Sequence, residues 1–322
     1  MNPIYRYWLT FTGLCGAVFY VLRYYKAREK YLSQLSCDAL NTPEIPTKIH
    51  KRLKKYIPVF LVIEYFYTLL TGITLDKEQI KRSTLLCGIT PTFDDMIDDY
   101  DYTTDQIMSL VRGITLPIEP ESKCAIHFYQ EGGFEWNHYW DHTLAIQTES
   151  IHQKAKGLTQ DELLALTREK GGISVVFGWH VITQEHGGNA IAKAAYELGA
   201  YAQIINDIYD VYYDRASDIV TLVTQSNDIR RLTQIHDLFY HQLQDSLADI
   251  PVGTRNKKQL KALIVLLYAL GKVALAQLSN LQSKNKDLFD VHAFSQKDLV
   301  CDMANWSNRI KWGLIVLHPK SE

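Results

Sequence analysis

The chain has 322 residues, 47% of them hydrophobic and 22% charged, with a formal net charge of −2. That composition is globular, so it excludes a disordered or low-complexity chain, and the near-neutral charge gives no global attraction for nucleic acid. Five cysteines, Cys15, Cys37, Cys87, Cys124 and Cys301, are scattered without a CxxC pair, the pattern of reduced thiols in a cytoplasmic compartment.

The first element is an uncharged run between Arg6 and Arg23, with tyrosines and a tryptophan near its ends. As a helix it rises about 24 Å, short of a hydrocarbon core of about 30 Å. Two expectations stand side by side: membrane contact through residues 4–26, or a first helix packed on the domain. No small-x-small site precedes the basic cluster, so a cleaved signal peptide is not expected. Inserted in a membrane, the run would leave Arg23, Lys26, Arg28 and Lys30 on the cytoplasmic side, by the positive-inside rule. The two prolines of LNTPEIPTK, Pro43 and Pro46, separate this segment (1–42) from the main domain (43–322).

Beyond that break, apolar residues recur at helical spacing over 51–71, 78–112, 141–156, 160–186, 189–214, 228–248, 257–284 and 296–314. Alternating strand patterns are nearly absent. The expectation is an all-α bundle around a central buried space.

Two of these helices carry the chemistry. The run TPTFDDMIDDYDYTTD holds Asp94, Asp95, Asp98, Asp99, Asp101 and Asp105. Asp94 and Asp98 stand one helical turn apart, as do Asp95 and Asp99, and like charges at that spacing repel. No Lys or Arg occurs between Arg82 and Arg112, so a metal ion is the expected compensator. An all-oxygen set suits a hard ion such as Mg²⁺. In GAYAQIINDIYDVYYDRASD, the side chains of Asn206, Asp210 and Asp214 recur every fourth residue on one helical face, flanked by Gln203 and Asp207. An ordinary solvated acidic face is the alternative for either cluster. A zinc pair at His138 and His142 lacks a third ligand and is set aside.

DDMID resembles the DDxxD motif of class I isoprenoid synthases. GAYAQIINDIYD resembles the GxxxQxxDDxxD motif of trans-prenyl diphosphate synthases, and equally the NDxxSxxxE type of terpene synthases. HKRLKKYIP is similar to the basic segment that precedes DDxxD in the prenyl diphosphate synthases, and EKGG to their segment carrying a diphosphate-binding lysine. The resemblance implies the class I isoprenoid synthase helical bundle around an active-site cavity. It implies Mg²⁺, three ions with Mn²⁺ as substitute, held by Asp94, Asp95, Asp98, Asn206, Asp207, Asp210 and Asp214. It implies a prenyl diphosphate substrate held by Lys51, Arg52, Lys170, Gln203 and Arg215, and it leaves room for a homodimer. Such enzymes ionise the substrate as cations neutralise the departing diphosphate, while aromatic faces steady the carbocation.

One departure bears on the reaction. Where prenyl diphosphate synthases carry two arginines after DDxxD, this chain has Thr103-Thr104. The leading expectation is therefore a one-substrate terpene synthase acting on a C10–C20 diphosphate. A trans-prenyltransferase, including the head-to-head type, is the alternative, and a non-catalytic helical protein the third.

Overall fold

The structure is a computed structural model that describes residues 16, 18–26, 28, 31, 46–154, 157–184, 188–248 and 250–317. Among them every regular element is a helix. Residues 1–15, which hold most of the uncharged N-terminal run, and the proposed boundary at 42–43 lie outside the described residues. The chain divides into two compact units: Met1–Cys15, Ser150–Ser174 and Gly188–Glu322 form one, and Gly16–Glu149 with Val175–Gly187 the other.

The second of these units holds α1 (18–26), α2 (Thr47–Thr71), α3 (Lys77–Asp98), α4 (Thr104–Val111), α5 (Pro120–Glu131) and α6 (His138–Ser150). It also takes the end of α7 (Gln160–Thr183). Helix α3 packs between α2 and α5. Gly88 permits this, since a Cβ there would stand 3.1 Å from the Phe128 ring and 3.3 Å from Leu53. Phe66, Phe93, Phe128, Trp140 and Phe177 are fully buried in its core, each contributing about 1.5–3 kcal/mol through burial.

Arg28, read from the sequence as a charge flanking a membrane segment, is 0% exposed. It pairs with buried Glu64 of α2 and donates to Ser83 and Thr84 of α3. Tyr20 packs its ring on Tyr65 of α2, so one face of α1 belongs to the helical core. Val18, Phe19 and Leu22 on α1 are exposed.

The first unit is built on α8 (Asn189–Tyr209), α9 (Val211–Ala216), α10 (Ile229–Ser246), α11 (Thr254–Lys284), α12 (Gln296–Leu299) and α13 (Trp306–Leu317), with the first turns of α7. Helices α8, α10 and α11 pack on one another, and α13 on α11. Helix α11 is the one described helix long and apolar enough to cross a membrane; 61% of its apolar window is buried inside the protein.

Three expected helices are divided. The expected 78–112 helix stops at Asp98 and restarts at Thr104. Asp101 there has φ 56°, and the Thr103 hydroxyl caps α4 in a reciprocal box with Gln106. The 189–214 helix bends at Asp210 (φ −89°, ψ 5°). The 296–314 helix splits into α12 and α13. Helix α5 was not anticipated, although Pro120 at its first position is a recognised start signal.

Candidate active site

The first acidic cluster lies on the last turns of α3. Carboxylates there meet the negative end of the helix dipole as well as one another. The charge is offset from α2, which corrects the expectation that these acids lack basic partners. Lys48 Nζ is 2.8 Å from Asp95 Oδ2 and 3.7 Å from Asp99 Oδ2. Arg52 donates to both oxygens of Asp95 and to the Pro91 carbonyl. The bond to Asp95 holds the Lys48 ammonium above the ordinary lysine range.

Arg52 is thus committed to Asp95 in this structure, whereas Lys51 beside it is exposed. Lys48 escaped the sequence reading, although its i, i+4 relation to Arg52 places both on one helical face. Gln147 of α6 escaped it too: its amide donates to Asp98 Oδ2 at 3.4 Å. Asp94 is half-buried and Asp98 exposed. Phe93, directly before Asp94, is packed near Trp140 (5.8 Å between ring centres), which in turn meets Phe177 at 4.6 Å. These aromatics are core. Asp141 of the HYWDH stretch accepts from Trp136 at 2.7 Å.

The second cluster is assembled by a close helix crossing. A Cβ on Gly171 of α7 would stand 2.3 Å from the Gly199 carbonyl oxygen of α8, so only glycine allows the approach. The crossing brings Thr167 within 3.1 Å of Asp207 Oδ2, while Gln203 donates to Asp207 Oδ1 at 2.8 Å. Arg168, one residue on, pairs with Glu197 at 2.6 Å and locks the same two helices.

Asp207 is therefore a buried acid held from within, and Asn206 beside it is exposed. The chain bends at Asp210, but the Asp210 N–H still reaches the Asn206 carbonyl and the Asp214 N–H the Asp210 carbonyl, each at 2.8 Å. Burial pushes the Asp207 carboxyl up to about 6, against the pull of Gln203 and Lys170. Burial, then repulsion from Asp207 and Asp210, pushes Asp214 up to about 7, with Lys170 as the opposing cation. Arg215, expected at the diphosphate, donates to the carbonyls of Val291 (2.6 Å) and Phe294 (2.7 Å).

Among the described residues no three His, Cys, Asp or Glu side chains are already gathered to hold an ion. The chemistry of the second cluster nevertheless fits a hard divalent cation. It offers oxygen donors whose mutual repulsion is only partly offset.

No protein-family model and no curated protein matches the chain. Among solved structures, it is similar to a dehydrosqualene synthase in complex with ligand. The identity is 14%, the match covers 82% of this chain and 97% of that one, and the TM-score is 0.43.

Proposed function

We propose that this chain is a divalent-cation-dependent isoprenoid synthase that ionises a prenyl diphosphate. The observation that carries the reading is the second cluster, where the Gly171–Gly199 crossing and the bonds from Thr167 and Gln203 fix a buried Asp207 in the electrostatic neighbourhood of Asp210 and Asp214. Carboxylates crowded in this way are suited to a cation–diphosphate complex. The two acidic motifs support the same conclusion from their residue types and order.

Mg²⁺ held by Asn206, Asp210 and Asp214 would supply Lewis-acid neutralisation of the leaving diphosphate, and Asp94 and Asp98 are cation-ligand candidates by their motif. The protein's own groups do the rest. Gln203 and Thr167 hold Asp207, which faces Asp210 and Asp214 electrostatically and favours cation uptake. Lys170 supplies positive charge to the same cluster, and its ammonium suits a phosphate oxygen. Arg52 and Lys48 hold Asp95, and Asp94 and Asp98 stand beside it on the same helix end as candidate cation ligands.

A one-substrate reaction is the leading form. Thr103 is used as a helix cap, and Arg52 and Arg215 are committed within the protein. These commitments take two of the expected cations, Arg52 and Arg215, away from a second diphosphate. The Gln203–Asp207 bond favours a second reading, trans-prenyl transfer, because that glutamine belongs to the prenyltransferase form of the motif.

The deciding experiment incubates the protein with C10, C15 and C20 prenyl diphosphates, each with and without isopentenyl diphosphate, and identifies products by mass. Cation-dependent release of diphosphate and a terpene from one substrate is expected. Elongated or coupled products establish the second reading. No turnover of any of them, or full turnover in EDTA, overturns the proposal.

A further inference from the structure

Helix α13 presents two opposite apolar faces. On one, Trp312 donates its indole N–H to the Leu266 carbonyl of α11 at 3.1 Å, and Val316 and Ile315 pack against Leu266 and Ala269. On the other, Trp306, Ile310 and Leu314 are 73%, 60% and 55% exposed. Their i, i+4, i+8 spacing makes one continuous stripe.

The charges on the helix itself are of a single sign. Helix α13 (WSNRIKWGLIVL) contains Arg309 and Lys311 and no acid, and both cations are exposed. Gln277 of α11 donates to the Val300 carbonyl at 3.1 Å, and Trp312 to that of Leu266. The chain from 300 to 312 therefore runs back along α11, and α13 ends beside the beginning of that helix.

We propose that the α13 stripe docks on an anionic lipid surface. A tryptophan at the edge of an aliphatic stripe suits the boundary between headgroups and acyl chains. Arg309 and Lys311, one on each side of the stripe, suit negatively charged headgroups. A second copy of the chain is disfavoured as occupant, because a two-fold contact would set each basic flank against its own image. This docking does not rest on the proposed reaction.

The test is co-sedimentation of the full chain with vesicles of phosphatidylcholine, alone or mixed with phosphatidylserine. Binding to the mixed vesicles is expected, weakened about ten-fold or more by high salt or in Ile310→Asn/Leu314→Asn. Both side chains are exposed, and circular dichroism checks that the variant keeps its fold. Trp306→Phe should remove a blue shift in emission that wild type shows on binding. Absence of wild-type binding, or equal binding by the double variant, overturns the proposal. So does a dimer in solution that the double variant dissociates, because the stripe is then a contact between copies.

Discussion

Lys48 reaches Asp95 from the first turn of α2 at 2.8 Å and stands 3.7 Å from Asp99, so an acidic helix end has a lysine as its resident cation. Arg52 holds the same Asp95 and is also fixed to the Pro91 carbonyl. Lys48 is the more exposed of the two, at 41% against 23%.

If divalent cations bind this helix end, Lys48 competes with them. Lys48→Met should tighten Mn²⁺ binding by the full chain about two- to ten-fold at low ionic strength, an effect that added salt erases. Lys48→Arg should restore wild-type affinity. Mn²⁺ titration followed by electron paramagnetic resonance reads this without turnover. Unchanged or weaker binding by Lys48→Met would show that the lysine does not stand in for a metal.

The buried pair of Arg28 and Glu64 joins α1 to α2, with Ser83 of α3 donating to Glu64. Removing one charge leaves the other without compensation in the core. Glu64→Gln should therefore cost about 3–5 kcal/mol in urea unfolding. The paired replacement Arg28→Met/Glu64→Leu should cost less than that single change. Equal and small losses in both would mean that the pair is not buried in solution.

Helical periodicity made most of the architecture legible, because α2, α7, α10 and α11 are long and bury one face. The interruptions were harder to see. The acidic run through Asp99 and Asp101 keeps helical spacing, and only the Thr103–Gln106 capping signature marks the break. Residue types singled out both acidic clusters, whereas Lys48, Gln147 and Thr167 join them through contacts between helices. Such contacts depend on packing, as where Gly171 meets Gly199, and a single chain's local pattern does not encode which helices cross. Arg28 is the clearest reversal: a basic residue after an apolar run reads as a membrane flank until its carboxylate partner, 36 positions away, is placed beside it.

His236 offers a pH prediction away from the acidic clusters. It is fully buried, with Tyr201 on Nε2 at 3.0 Å and Asp237 on Nδ1 at 3.1 Å. Burial holds its folded pKa below the ordinary histidine value of 6.5, against the opposing pull of Asp237. The unfolded chain therefore binds a proton that the folded chain refuses. Stability from this group is complete above about pH 6.5 and is lost as pH falls toward the folded pKa, by at most about 1.4 kcal/mol per pH unit. The unfolding temperature should drop between pH 7 and pH 5.5, and the slope should be shallower in His236→Gln. Parallel slopes in the two proteins would assign acid sensitivity elsewhere.

The second acidic cluster should trade stability for cation binding. Asp214 is pushed up to about 7 by burial and by Asp207 and Asp210, so near neutral pH its ionised form is disfavoured in the folded protein. A carboxyl with a raised folded pKa destabilises the native state above its unfolded pKa of about 3.9. Asp214→Asn keeps the shape and removes the charge. Allowing for solvent screening of this part-exposed group, the metal-free variant should gain about 1–2 kcal/mol. The same substitution should weaken Mn²⁺ binding about ten-fold or more, since a carboxylate ligand has become a neutral one. Excess Mg²⁺ should then stabilise wild type but not the variant, because only a protein that binds the ion gains from its concentration. Thermal unfolding of both proteins, with EDTA and with Mg²⁺, gives the four numbers needed. If the variant is no more stable in EDTA and both respond equally to Mg²⁺, Asp214 is an ordinary surface acid and the cation site lies elsewhere.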